Sequence, residues 1–271
     1  MDIIHAFILG VVQGVTEFLP ISSSGHLLFF HDVLNFDMAD SLSFDAALHL
    51  GTLLALIWFF WPEVKKILKG FLGSFVKWEV RTDENQKLAW LVILGAIPAG
   101  LSGLLLENWL SENTRNLWLV AATLLFGSGI FWLVEYWSKR KIQTPEISFR
   151  TSLIVGLAQV LALVPGISRS GATIVAGLFR KLDRASAGRF AFLISLPVIA
   201  GASLLKLTEI AKNAPIGQEL VAVVVGVLAS MLAGYLVIKY FLKFLQKHSL
   251  SAFAWYRVLA ALVIAVYLLT S

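Results

Sequence analysis

Continuously apolar segments alternate with short polar ones along the whole chain of 271 residues. Because the apolar segments show no alternation with a period of two, they predict helices rather than the strands of a membrane barrel. Six of them are long enough to cross a hydrocarbon core of roughly 30 Å as a helix, namely residues 46–61, 88–106, 117–137, 190–207, 220–238 and 252–269. We therefore expect an all-α integral membrane protein with six transmembrane helices.

The composition supports this class. Apolar residues make up 58% and charged residues 14% of the chain, and the mean hydropathy is +0.80, whereas a soluble protein is about half apolar and about a quarter charged. The chain has no cysteine, which excludes disulfides, thiolate metal sites and cysteine nucleophiles. The acidic start and the lack of a small-residue cleavage pattern lead us to expect that the N-terminal segment stays in the mature protein.

The basic residues predict an orientation, because membrane topology follows lysine and arginine in short loops. Residues 62–87, 138–150 and 179–189 and the end of the segment 220–247 are rich in lysine and arginine, so we expect them to face the cytoplasm. The segments 107–116 and 209–219 carry only Arg115 and Lys212, so these should face outward. With six spans between them, both termini should lie on the outer side.

An internal repeat appears when the sequence is shifted by 146 residues. The shift aligns four pairs of residues around the polar segments, which are Gly10 with Gly156, Gln13 with Gln159, Ser22 with Ser168 and Ser24 with Ser170. We therefore predict one membrane domain, residues 1–271, built from two halves, 1–140 and 151–271, each with a polar-broken hairpin followed by three spans. Because three is an odd number, the halves should run in opposite directions, which is the inverted-topology repeat common in transporters.

The two polar segments predict broken helices that enter and leave the membrane on the same side. Pro20 should end one short helix, and Ser22 is placed to cap the next. In the second half, Pro165 should break the chain and Ser168 should cap the helix that follows. Since irregular backbone at membrane depth is tolerated only inside protein or beside water, both breaks of these re-entrant hairpins should meet in a central cavity.

The polar residues at the breaks suggest an anion site. Helix N-termini and serine hydroxyls offer hydrogen-bond donors, and the planar guanidinium of Arg169 suits phosphate oxygens. Arg169 could instead reach a lipid headgroup or form a salt bridge with Glu17, which would not exclude catalysis. Glu17 and Gln13 are four residues apart and share a helix face. Glu17 could act as a general base, bind a metal ion or orient His26.

Two further pairs are spaced for contact. His26 follows Ser23 by three residues, so both could approach one ligand. Asp45 and His49 are also four residues apart, but they lie at the start of a span, where we expect them to cap it or to line its mouth. Glycine-rich nucleotide loops, HExxH and paired metal motifs are absent from the sequence.

The stretches QGVTEFLPISSSGHL and PGISRSGAT resemble the two signature motifs of the bacterial undecaprenyl pyrophosphate phosphatase family, BacA or UppP. The likeness covers essentially the whole chain. The first position of the first motif is Glu or Gln in the family, and here it is the neutral variant, Gln13, so Glu17 is the only carboxylate of that pair. The resemblance implies hydrolysis of undecaprenyl pyrophosphate to the monophosphate and phosphate on the outer side of the bacterial plasma membrane. It also implies roles in peptidoglycan synthesis and bacitracin resistance.

The resemblance also implies a set of site residues. The catalytic residues would be Glu17, Ser23, His26 and Arg169, and the substrate-binding residues Gln13, Ser22, Ser24, Ser168, Ser170 and Thr173. A divalent cation, Mg²⁺ or Ca²⁺, is expected, with Glu17 as its protein ligand. Ser23, His26 and water remain alternatives for the attack on phosphorus.

The expected partners are a polyprenyl diphosphate and membrane lipids. A homodimer is left open, and we expect no nucleic acid. The alternative function, from another class, is a transporter or flippase of an anionic lipid, because inverted repeats with broken helices are typical of alternating access.

Overall fold

The computed structural model describes residues 3–34, 38–138, 146–212 and 217–270, and these residues form eleven helices and no strand. The predicted all-α fold is thus confirmed. The helices are α1 Ile3–Phe18, α2 Ser23–Val33, α3 Met38–Phe59, α4 Trp61–Val76, α5 Glu84–Asn113, α6 Leu117–Ser138, α7 Phe149–Leu161, α8 Arg169–Phe179, α9 Arg184–Lys212, α10 Gln218–Lys247 and α11 Ser251–Thr270.

Five helices are long and apolar enough to cross a membrane by themselves, within α5, α6, α9, α10 and α11. The sixth predicted span, residues 46–61, lies mainly in α3. The segment Phe44–Phe59 of α3 is long and apolar enough only when it is taken together with Trp61–Val76 of α4, and the axes of these two segments form a bend of 86°. By length and composition, the described residues therefore contain five candidate spans, or six if this bent pair is one of them.

Helix α4 lies in a segment that we expected to be a basic loop. Pro62, at the start of α4, cannot continue the hydrogen-bond ladder of α3, so a new helix begins in a new direction. The other predicted basic linker lies in part outside the described residues, at 139–145.

The order of the helices follows the predicted repeat. The first residues of α7, α8 and α9 each lie 146 positions after those of α1, α2 and α3, and α10 and α11 begin 134 positions after α5 and α6. Packing is reciprocal as well, because α1 lies against α10 while α7 lies against α5. The opposite directions of the halves stay a prediction, and the boundary at residue 140 lies outside the described residues.

Glycines allow these reciprocal contacts. Gly10 of α1 lies so close to the backbone carbonyl of Gly226 that a methyl group would overlap it, and Gly156 of α7 lies equally close to the carbonyl of Gly95. Gly10 and Gly156 are partners in the predicted repeat. Small residues at such contacts let helix backbones approach closely, which is how membrane helices pack without a hydrophobic driving force between them.

Candidate active site

Both helix breaks lie where the sequence predicts them. Helix α1 ends at Phe18, two residues before Pro20, and α2 begins after Ser22, whose hydroxyl accepts a hydrogen bond from the amide of Gly25 at 3.3 Å. Helix α8 begins after Ser168, whose hydroxyl accepts from the amide of Gly171 at 3.1 Å. The two capping serines therefore play the same role in both halves, and the predicted caps are confirmed.

The two breaks contact each other. The amide of Gly166 donates to Ser22 Oγ at 3.2 Å, and Ser170 Oγ donates to the carbonyl of Leu19 at 3.0 Å. Ser22 has a φ of 75° and Gly166 a φ of 88°, both in the left-handed region that few residues except glycine adopt. A serine held in this region indicates a backbone that its surroundings constrain, which is common at functional sites.

A cavity of about 190 Å³ lies between the breaks and α9. It confirms the prediction that the broken segments meet around a central space. Six of the predicted site residues line it, together with His49 and apolar residues of α9; these six are Glu17, Ser22, Ser23, Ser24, Ser168 and Arg169.

Glu17 is the centre of the polar contacts in this cavity. Its Oε2 atom accepts hydrogen bonds from Ser23 Oγ at 2.5 Å and from Gln13 Nε2 at 3.0 Å. Its Oε1 atom accepts from Arg169 Nη2 at 2.6 Å. His49 Nε2 lies 3.7 Å from Oε2. One carboxylate thus joins the first hairpin to the second and lies beside a hydroxyl that it can deprotonate.

The ion pair leaves Arg169 with further hydrogen-bonding capacity. A guanidinium carries five N–H donors, and within the described residues Arg169 uses only Nη2, on Glu17. Its side chain keeps 18% of its surface exposed, compared with 5% for Glu17, so the exposed part is on the cavity side. Arg169 can therefore bind an anion while it remains paired with Glu17.

Four predicted site residues do not line the cavity. Gln13 lies behind Glu17 as its hydrogen-bond donor. Ser170 donates to Leu19, and Thr173 donates to two carbonyls within its own helix, of Arg169 at 2.8 Å and of Ser170 at 3.2 Å. These contacts orient α8, while direct binding of substrate by these residues stays a prediction.

His26 is the fourth of these residues. Its Nδ1 lies 2.7 Å from the carbonyl of Ser22, and its Nε2 lies 2.8 Å from the hydroxyl of Tyr256 on α11, with the two rings stacked. Since the carbonyl can only accept, Nδ1 carries the proton and Nε2 accepts from Tyr256. Both nitrogens of His26 are thus engaged, and the ring holds the backbone at Ser22. Its expected catalytic role stays a prediction.

The sequence interpretation gave too little weight to His49. The pair Asp45 and His49 is present, but it is formed by the Asp45 carbonyl, which accepts from His49 Nδ1 at 2.8 Å. This bond leaves the Nε2 atom of His49 facing Glu17. The spacing signalled a pair, and only the packing of α3 against α1 shows which residue His49 faces.

A second cavity, of about 280 Å³, adjoins the first and shares Ser24, His49 and Ala202 with it. Its lining is mainly apolar, from residues such as Leu27 and Leu28, and it also includes Asp45, Arg115 and Pro165. The polar cavity therefore adjoins a mainly apolar one whose lining includes Arg115.

Arg257 of α11 was missed altogether. Only 1% of its surface is exposed, and its guanidinium donates to the carbonyls of Pro20 at 3.3 Å and Gly166 at 3.2 Å, one in each break. The signal was available, because a lone arginine inside an apolar span is costly and marks a functional site by default.

The side chains around Glu17 can be compared with the ligands that a divalent cation requires. The described residues contain no group of three or more His, Cys, Asp or Glu side chains that could hold a metal. Mg²⁺, however, is commonly held by one or two carboxylates together with substrate phosphates. The buried Oε1 atom of Gln13 has no hydrogen-bond partner in the described part of the chain, and the Nε2 atom of the same amide donates to Glu17. The site thus fits a cation held mainly by the substrate.

Comparisons with known proteins agree with the geometry. The family model of the bacitracin resistance protein BacA matches residues 6–263, which include every residue of the first cavity. An undecaprenyl-diphosphatase of Rubrobacter xylanophilus is 42% identical over 271 residues, 99% of this chain and 100% of that protein. Those of Moorella thermoacetica and Methanosphaera stadtmanae are each 40% identical, covering 98% and 94% of both chains.

Proposed function

Because the chain belongs to the BacA family, we propose that it hydrolyses undecaprenyl diphosphate to undecaprenyl phosphate and inorganic phosphate, which recycles the lipid carrier for peptidoglycan synthesis and gives resistance to bacitracin. The observation that carries this proposal is the contact of Ser23 and Arg169 with the two oxygens of one buried carboxylate. This contact supports the proposal because it brings together in one cavity a hydroxyl, a carboxylate and a guanidinium, which could serve as nucleophile, base and cation.

In the proposed first step, Ser23 Oγ attacks the terminal phosphorus. Its proton passes to Glu17 Oε2, which already accepts it in a hydrogen bond of 2.5 Å. The bond between phosphorus and the bridging oxygen breaks, and undecaprenyl phosphate leaves. Glu17 gives this proton to the departing undecaprenyl phosphate and so becomes a base again. Water, deprotonated by Glu17, then attacks the phosphoserine, the bond between phosphorus and Ser23 Oγ breaks, and Oγ takes the proton back from Glu17, which releases phosphate.

The remaining groups of the cavity bind the diphosphate. Arg169 and Ser24 line the space between the hairpins and would donate to the phosphate oxygens, and the N-termini of α2 and α8 add their positive dipole ends. In phosphoryl transfer, most of the catalysis comes from such positioning and from charge stabilisation.

A divalent cation, Mg²⁺ or Ca²⁺, is part of the proposal. Glu17, which lines the cavity, would be its protein ligand. Such a cation would neutralise part of the charge on the diphosphate. Titration of phosphate release with chelator and with each cation tests this part separately.

We place the site at the outer face of the bacterial plasma membrane. Support comes from Arg115, which lines the second cavity and belongs to the segment 107–116 that is poor in lysine and arginine. The apolar lining of this cavity suits the first isoprene units of the lipid. Labelling of a cysteine introduced at Arg115 in intact cells, by a reagent that does not cross membranes, would be expected if this orientation is right.

Phosphate release from undecaprenyl diphosphate by the protein in detergent tests the function. We expect release by the wild type and a loss of at least about 100-fold in kcat for Glu17→Gln and Arg169→Ala, since each removes a charge beside the reacting atoms. Glu63→Gln is the matched control, because Glu63 forms an ion pair with Arg189 away from the cavity. No release by wild type, or full release by Glu17→Gln, would contradict the proposal.

The nucleophile can be identified by trapping a phosphoenzyme with substrate labelled on the terminal phosphate. Label on Ser23 is expected, and it should be absent in Ser23→Ala. Label on His26, or an active Ser23→Ala protein without label, would replace this step by attack of histidine or water.

The alternative function is transport or flipping of an anionic lipid, which the repeated order of helices favours. The assay in detergent separates the two, because transport requires closed vesicles whereas hydrolysis does not. The association of two copies stays a prediction, and the mass of the solubilised protein tests it.

A further inference from the structure

We propose that Arg257 is a positioning residue that fixes the two helix breaks relative to each other, and that Gly127 provides the space in which its guanidinium lies. The inference rests on the proposed function, because its test is the rate of phosphate release. Arg257 does not line the first cavity and acts through the backbone on either side of it.

The contacts of Arg257 follow the repeat of the chain. The carbonyls of Pro20 and Gly166 accept from Nη1 and Nη2, and these two residues are 146 positions apart. Each of them is followed two residues later by a capping serine, Ser22 or Ser168. Immediately after these caps come Ser23 and Arg169, the proposed nucleophile and cation. One guanidinium is therefore bonded to equivalent points of both hairpins, close to the residues that must meet the same phosphate.

Helix α6 holds this guanidinium from the other side. The Nε atom of Arg257 donates to the carbonyl of Leu124 at 3.3 Å, and its Nη2 atom donates to the carbonyl of Thr123 at 3.1 Å. The guanidinium also lies over the ring of Phe131, 5.1 Å from its centroid. At Gly127 a methyl group would overlap Nη2 and come close to the central carbon of the guanidinium.

Within the described part of the chain, the charge of Arg257 has no acidic partner. Among the described residues, the ion pairs of arginine involve Arg169, Arg184 and Arg189, and none involves Arg257. A buried arginine that is held by carbonyls and an aromatic ring, without a carboxylate, is costly in a membrane protein. For packing alone an apolar side chain would serve better. The planar fork, with donors in three directions, explains why arginine is used, because a lysine has one nitrogen and cannot bond both breaks and α6 together.

Gly127→Ala tests the inference without removing any charge. Gly129→Ala is the matched control, because Gly129 lies two residues further along α6 and a methyl group there meets nothing within 4 Å. A misplacement of about 1 Å can cost about 100-fold in rate, so we expect kcat to fall about 100-fold in Gly127→Ala while KM changes little. Gly129→Ala should behave as wild type.

Arg257→Lys and the double variant complete the test. Arg257→Lys should lose as much kcat as Gly127→Ala, although it keeps the charge. If Gly127 acts through the guanidinium, the double variant should be no slower than Arg257→Lys alone. If the methyl group instead acted only on helix packing, its effect on kcat would add to the loss caused by Arg257→Lys.

The possible results distinguish a failure of the proposed function from a failure of the inference about Arg257 and Gly127. If wild type and Gly129→Ala release phosphate, the proposed function stands. The inference is then overturned by a Gly127→Ala protein with normal kcat, by losses that add in the double variant, or by a change in KM alone. Should Arg257→Lys fail to fold, the comparison of Gly127→Ala with Gly129→Ala, at equal thermal stability, still decides.

Discussion

Removal of Arg169 should destabilise the protein through the carboxylate that it leaves behind. In Arg169→Met, Glu17 stays buried, with 5% of its side chain exposed, and loses its arginine partner at 2.6 Å. Breaking a buried ion pair in this way costs about 3–5 kcal/mol. Because Gln13 and Ser23 still donate to Oε2, we expect a cost of about 3 kcal/mol, at the lower end of that range.

Removing the charge on Glu17 as well should raise the stability of the Arg169→Met protein. Glu17→Gln added to Arg169→Met leaves no unpaired buried charge, so the double variant should be more stable than Arg169→Met while it remains inactive. At about 2–4 °C per kcal/mol, the difference in apparent melting temperature between Arg169→Met and wild type should be roughly 10 °C.

Tryptophan fluorescence during heating in detergent measures these shifts, since the chain has nine tryptophans. Arg189→Met serves as the control for loss of an arginine, because its side chain is 56% exposed and its pair with Glu63 should contribute little. The reasoning would be refuted if Arg169→Met melted with the wild type, or if the double variant melted below Arg169→Met.

Three further variants have effects that follow from single contacts. Tyr256→Phe removes the hydroxyl that donates to His26 at 2.8 Å, so kcat/KM of phosphate release should fall about fivefold, the value of about 1 kcal/mol for one hydrogen bond. Arg115→Ala should raise KM with kcat unchanged, an effect that high salt should mimic in the wild type. Gly10→Ala should lower stability by about 1–3 kcal/mol in thermal unfolding, whereas Gly201→Ala, with open space around it, should not.

Local sequence chemistry was sufficient to predict the two breaks. Proline disfavours helical backbone at the residue before it, so Pro20 marks the end of α1 wherever the rest of the chain lies. Ser22 and Ser168 cap the next helices through contacts three residues away. The contact of Glu17 with Gln13 follows in the same way from one helical turn. These features depend on neighbours in sequence, and they were predicted correctly.

Contacts between distant elements could not be predicted. His49 faces Glu17 because α3 packs on α1, and Tyr256 reaches His26 from a helix 230 residues later. Nothing in the periodicity of an apolar span gives its rotation or its partner. Arg257 lies inside a predicted span and could have been singled out as a polar residue, but its contacts with both breaks and α6 depend on packing that the sequence does not give.

The chemistry of the site differs between the halves although the backbone frame is shared. Ser23 and Arg169 occupy equivalent positions 146 residues apart, and Glu17 corresponds to Leu163. One half thus supplies the nucleophile and base, and the other supplies the cation. Alternating access would require the two hairpins to separate and move past each other. Here Gly166 bonds directly to Ser22, and Arg257 bonds to both breaks, so separation would leave buried polar groups unpaired. Two hairpins that are bonded to each other and carry different functional groups suit hydrolysis of a phosphoric anhydride better than transport.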